Sequence, residues 1–165
     1  MSARRVVLSG LFSTLLIGAV ATNAAAATST ATISVTATVS ASCNVTGGTL
    51  AFGTYDVLSA SPTDASLVFT ATCATGTSAT IGLGLGSHAS GTTRRMADAD
   101  GDLITYELYK ESSHTTVWGQ SGAATVSYLS TSSAPNNFTV YGRIAPEQNV
   151  DTESYSDTVT ITITF

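Results

Sequence analysis

Apolar and polar residues alternate along most of this chain with a period of two. The first clear run is 30–41, TATISVTATVSA, with Ala31, Ile33, Val35, Ala37, Val39 and Ala41 at odd positions and Thr or Ser between them. Such alternation predicts a β-strand with one buried face. The run is followed only by Ser42 and Cys43, with no hairpin turn. A strand with an apolar face and no local partner needs a groove elsewhere, and the next copy of the same chain is expected to supply it.

The same pattern recurs downstream. Residues 49–55 (TLAFGTY) predict a short strand with Leu50 and Phe52 on one face. Residues 65–73 (ASLVFTATC) place Leu67, Phe69, Ala71 and Cys73 together, so Cys73 should point inward. Residues 79–85 carry Ile81, Leu83 and Leu85 on one face, and Gly82, Gly84 and Gly86 imply close packing on the other. Asp100-Gly101 signals a hairpin turn, and residues 103–110 (LITYELYK) follow as a strand. A short extended piece at Val117-Trp118-Gly119, then strands over 122–129, 138–144 and 157–165, complete the set. The last strand, DTVTITITF, puts Val159, Ile161, Ile163 and Phe165 on one face. Seven or more short strands separated by turn residues predict an all-β sandwich.

Composition sharpens this picture. Only 10% of residues are charged, well below the usual quarter, and Thr, Ser, Ala and Gly fill the difference. The N-terminus reads as a secretory signal over 1–26: Arg4 and Arg5, an apolar run from Val6 to Ala21, then the small residues Ala24 to Ala27. Cleavage after Ala26 fits best, with Ala25 and Ala27 as alternatives. A membrane anchor fits less well, because the run is short, interrupted by Gly and Ser, and ends at a cleavage site. No transmembrane segment is expected in the mature chain. Removing Arg4 and Arg5 leaves four basic residues against eleven acidic ones, a net charge of −7, which disfavours nucleic-acid binding. The two cysteines of an exported chain, Cys43 and Cys73, predict one disulfide. A redox or metal pair lacks both a CxxC motif and a nearby His.

Other chemistry finds little support. Asp98, Asp100 and Asp102 suggest a calcium loop, but an EF-hand counted from Asp98 needs Gly at its sixth position and Glu at its twelfth, where this chain has Leu103 and Tyr109. A solvated hairpin tip fits better. His88 and His114 have no HExxH or Cys/His partners, no GxSxG elbow is present, and Trp118 reads as a packed aromatic before a sugar platform. The chain is therefore not expected to be an enzyme, and no catalytic residue, metal or cofactor is predicted.

The run Arg94-Arg95-Met96, then Ile104-Thr105-Tyr106-Glu107-Leu108-Tyr109, then Val117-Trp118-Gly119, resembles the spore coat protein U domain family. The early SCNV, the Phe52-Gly53 pair and the Thr-rich last strand ending in an aromatic resemble it too. That family includes pilin subunits of archaic chaperone–usher pili and other secreted coat proteins. The resemblance implies an incomplete immunoglobulin-like β-sandwich over 43–165, completed by a donor strand, with 27–42 as the donor extension. It implies export through the periplasm, capture by a periplasmic chaperone, and head-to-tail homopolymerisation at an outer-membrane usher. The product is a surface fibre for attachment and biofilm formation. Ile33, Val35, Ala37 and Val39 would be the donor plugs; Val159, Ile161, Ile163 and Phe165 would line the acceptor groove and pair with the chaperone. The alternative is a monomeric secreted coat protein or a carbohydrate- or calcium-binding module.

Overall fold

The computed structural model describes residues 25–165, so the signal-peptide expectation falls almost wholly outside the described residues. The chain divides into two units, one ending at Ala37 and one spanning Thr38–Phe165. In the first, residues 25–37 form no regular secondary structure, and Ile33 and Val35 are each 88% exposed. The strand expected over 30–41 is thus unpaired in the single chain. A lone apolar strand has no ladder to join, so its backbone stays solvated.

The second unit holds eight strands: β1 (Cys43–Thr46), β2 (Thr63–Cys73), β3 (Ser78–Leu83), β4 (Arg94–Ala97), β5 (Leu103–Tyr109), β6 (Val126–Leu129), β7 (Asn136–Ile144) and β8 (Ile161–Thr164). They make a five-stranded sheet, β1-β2-β7-β5-β4, and a three-stranded sheet, β6-β3-β8. All pairings are antiparallel. Alternate residues of each sheet meet in a core of Phe69 and Ala71 from β2, Ile81 and Leu83 from β3, Ile104, Tyr106 and Leu108 from β5, and Val140 and Ile144 from β7. This two-layer arrangement is an immunoglobulin-like sandwich. Trp118 is packed within the core at 2% exposure, 5.7 Å from Phe69, and its indole N–H donates to the Ile81 carbonyl at 2.9 Å.

Cys43 and Cys73 face each other across β1 and β2 and form a disulfide. The bond closes a loop of sequence separation 30, a constraint on the unfolded chain worth roughly 3–4 kcal/mol. The expected turn at Asp100-Gly101 joins β4 to β5. Asp98 Oδ1 accepts the backbone N–H groups of Asp100, Gly101 and Asp102 at 3.1, 2.7 and 2.8 Å, and Gly101 takes a left-handed φ of 100°. That carboxylate oxygen is spent on the hairpin tip.

Some local expectations are corrected. Residues 49–55 form no strand: Gly53 turns the chain with φ 72°, and Leu50 and Phe52 instead lie over Gly142 of β7, where an added Cβ would stand 2.7 Å from the Phe52 ring. The segment 122–129 begins as a 3-10 turn, Gly122–Ala124, before β6. In the last segment only Ile161–Thr164 pairs as a strand. Arg94 is the least expected core residue. Fully buried, it donates from Nε to the Gly84 carbonyl at 2.9 Å and from Nη2 to the Leu83 and Trp118 carbonyls at 3.0 and 2.8 Å, and it pairs with Glu107.

Candidate functional site

β8 is an edge of its sheet, and β1 is an edge of the other. The two sheets approach each other where β1 meets β8, and away from that seam the sandwich is open. A groove of about 1180 Å³ runs down to the core, so that Leu83, Ile104, Leu108, Val140 and Ile144 form its floor. One wall is the coil from Gly48 to Val57, with Leu50 and Phe52 turned inward. The other is the coil from Val150 to Val159 together with Ile161 of β8. An apolar trough bordered by an unpaired strand edge is a surface that folded proteins normally cover.

The walls are held by specific polar contacts. Tyr55 donates its hydroxyl to the Ala145 carbonyl at 2.8 Å and accepts the Gln148 N–H at 2.9 Å. Gln148 Oε1 in turn accepts the Thr105 N–H at 2.8 Å, which ties the first coil and the segment leading into the second to β5. The approach of β3 to its neighbours depends on the glycines: an added Cβ at Gly82 would stand 2.7 Å from the Gln120 carbonyl oxygen, and one at Gly84 would stand 3.4 Å from that of Thr160. The close packing expected opposite these residues is thus present.

Of the four expected acceptor residues, Val159 and Ile161 line the groove. Ile163 packs against the core cluster. Phe165 is 56% exposed and borders a separate shallow depression with Ala79, Tyr128 and Leu129. Of the four expected donor residues, Ile33 and Val35 are 88% exposed and Val39 is 89% exposed, and Ala37 is exposed as well. The groove residues contributed by coil, such as Leu50, Phe52 and Val150, carried no sequence signal for this role beyond the Leu50–Phe52 alternation.

The two histidines serve separate clusters. His88 Nδ1 lies 3.3 Å from Asp157 Oδ1. His114 is nearly buried against Tyr109, with its Nε2 3.8 Å from Asp64. Among the described residues, no three His, Cys, Asp or Glu side chains converge as metal ligands would. No helix there is long and apolar enough to cross a membrane.

Two carboxylates near this architecture are held below the ordinary Asp range. For Asp157, burial alone would push the group up, but hydrogen bonds from Tyr106, Ser87, Thr158 and His88 outweigh it. For Asp64 the main cause is the Arg143 guanidinium, which donates to both carboxylate oxygens at 2.7 and 2.8 Å. A carboxylate depressed in the folded state contributes stability that is complete above its unfolded pKa, about 4, and is lost as pH falls through the lower folded value. Thermal unfolding followed from about pH 6 to pH 2 should therefore show a midpoint that drops below about pH 4. A midpoint that stays flat to the acid end would contradict the assignment.

Comparison with known proteins agrees with this architecture. The model of the Spore Coat Protein U domain matches residues 29–162. Protein U of Myxococcus xanthus is 38% identical over 131 residues, covering 72% of this chain and 73% of the relative. A chain in the crystal structure of the CsuC–CsuE chaperone–tip adhesion subunit pre-assembly complex, from archaic chaperone–usher Csu pili of Acinetobacter baumannii, superposes with a TM-score of 0.58 at 22% identity. The match covers 78% of this chain but spans only 41% of that solved chain, and it speaks to the fold alone. With a family match running through both walls of the groove, this chain belongs to the Spore Coat Protein U domain family.

Proposed function

We propose that this protein is a structural subunit of a chaperone–usher surface fibre and that it polymerises by donor-strand exchange. The segment 30–41 of one copy enters the groove of the next as the strand that completes its sandwich. Ile33, Val35, Ala37 and Val39 point to the floor, and the backbone pairs with the free edge around Val159, Ile161, Ile163 and Phe165. Strand addition of this kind takes affinity from main-chain hydrogen bonds and specificity from alternate side chains. Donor and acceptor are different surfaces, so the contact is head-to-tail and propagates. Before assembly a periplasmic chaperone covers the same groove, and an usher exchanges it for the next subunit. The fibre serves attachment and biofilm formation at the cell surface.

The observation that carries this reading is the open groove itself: a sandwich whose core residues floor an apolar trough beside an unpaired β8 edge. The chain also offers an alternating segment, 30–41, whose apolar residues Ile33, Val35 and Val39 are exposed. Self-closure is disfavoured by the chain path. Ala41 and Ser42 lead straight into β1, whose first residue is disulfide-bonded to β2, and no Gly or Asn is present there to reverse the chain as a tight hairpin requires. Deletion of 30–41 is expected to leave a folded, exported domain that forms no high-mass assemblies. Size-exclusion chromatography and denaturant-resistant ladders test this, and ladders that survive the deletion would refute it.

A further inference from the structure

The groove wall that leads into β8 passes through Asp157, and that residue is unusually well tied. Its side chain is 2% exposed. Oδ2 accepts the Tyr106 hydroxyl at 2.6 Å, and Oδ1 accepts the Ser87 N–H at 2.7 Å and faces His88 Nδ1 at 3.3 Å. The site is shaped for this carboxylate: at Gly86, where φ is 88°, an added Cβ would stand 1.8 Å from Oδ2. The loop that supplies these donors is itself anchored, since Arg95 Nε donates to the His88 carbonyl at 2.8 Å. One carboxylate thus joins the connection after β3, the inner strand β5 and the lead-in to β8.

Ser156, just before it, is bridged to Ala97 by two backbone hydrogen bonds at 3.0 and 2.9 Å, and Val159 packs against the core. Between Asp157 and β8 the backbone has few other hydrogen bonds. Pairing of β8 with β3 begins only at Ile161. Between 158 and 160 the backbone ties are the Gly84 N–H to the Thr160 carbonyl at 2.9 Å and the Ser87 hydroxyl to the Thr158 carbonyl at 3.5 Å. An edge stretch with so few bonds frays readily, and ordering it at the moment of binding would tax the association. Tyr106 and Asp157 both line the groove, and the Tyr106 ring meets Phe52 of the opposite wall edge-on at 6.2 Å. The latch therefore stands where an incoming strand must dock.

We propose that Asp157 is a positioning residue for strand uptake: with Tyr106 and the Gly86–His88 turn it holds 158–161 extended before the donor arrives. This rests on the reading of the groove as a donor-strand site. The latch acts through the acceptor backbone and makes its contribution before binding, so its loss slows entry of the donor more than it loosens the core.

The test uses the full mature chain at low concentration, a fluorescent synthetic peptide of residues 30–41 as probe, and the variants Asp157→Asn and Tyr106→Phe. The expected result is a peptide association rate lowered at least about tenfold in Asp157→Asn and less in Tyr106→Phe. Amide exchange should accelerate at 158–161 while β2 and β7 keep wild-type protection. Wild-type association rates in both variants would overturn the proposal. So would exchange that rises equally in β2 and β7, since that marks general destabilisation. If the wild-type chain takes up no peptide, the donor-strand reading fails, and the local exchange comparison still decides whether Asp157 orders the edge.

Discussion

Replacing Ile33 and Val35 together with aspartate is expected to abolish fibre assembly while leaving the domain folded. Both side chains are 88% exposed in the single chain, so the substitutions remove no packing there, and surface changes of this kind usually move stability little. In the proposed assembled state the same positions would face the apolar floor built from Leu83, Ile104, Leu108 and Val140. Each lost apolar plug forfeits about 1.5–3 kcal/mol, and a carboxylate buried without a partner adds a further penalty. A combined loss of at least about 4 kcal/mol weakens each joint by roughly a thousandfold, and a polymer multiplies that loss along its length. Sedimentation of the purified double variant should show monomer alone, with a thermal midpoint close to that of the wild-type monomer. The swap Val35→Ile keeps the plug apolar and should assemble. Fibres formed normally by the double variant would contradict the donor assignment.

Arg94→Ala is expected to be the most damaging single change in the folded domain. The guanidinium has no exposure and satisfies the carbonyls of Leu83, Gly84 and Trp118 while pairing with Glu107. Truncation leaves three carbonyl acceptors without their donor, strips the Glu107 carboxylate of its guanidinium partner so that only the Leu108 N–H remains at 2.8 Å, and opens a cavity beneath the Trp118 segment. Breaking a buried pair by removing one partner costs about 3–5 kcal/mol, and this pair includes three further hydrogen bonds. Lysine is a poor substitute because its compact ammonium lacks the planar fork that spans separate acceptors. Denaturant unfolding measures the loss directly, and a decrease below about 1 kcal/mol would show that the cluster matters little. The same variant should indirectly disturb the groove, since Leu83 and Gly84 carry the strand against which β8 and Thr160 are held.

These residues also mark how far the sequence could be read. β2, β5 and β7 were legible because one face of each is buried, and burial imposes the period. Phe69, Ala71 and Cys73 turn inward on β2, and Ile104, Tyr106 and Leu108 on β5. β1 and β4 were not legible as strands. Each has four residues, and RRMA places a buried charge where the pattern calls for an apolar residue. Residues 49–55 mislead in the opposite way. Leu50 and Phe52 alternate as a strand would, but Gly53 breaks the extension and tertiary packing onto Gly142 decides their place.

The site was half legible for the same reason. Val159 and Ile161 announce themselves by period. The facing wall and the stretch from Val150 to Ser156 are coil, whose position follows from contacts such as Tyr55 to Ala145 across 90 residues of sequence. The latch at Asp157 was invisible, because its partners Tyr106 and Ser87 lie 51 and 70 residues away. Local spacing carries no information about hydrogen bonds of that range. Phe165 shows the limit of period itself: it continues the apolar face of the last segment yet lies beyond the paired residues and the groove.

The most direct measurement is a high-resolution cryo-electron microscopy map of assembled fibres. The account predicts continuous density for residues 30–41 of one copy lying in the trough of the next, with the odd-numbered side chains directed at Leu83, Ile104 and Val140. Density that joins each such segment to its own body, or a trough left vacant while subunits touch elsewhere, would contradict it.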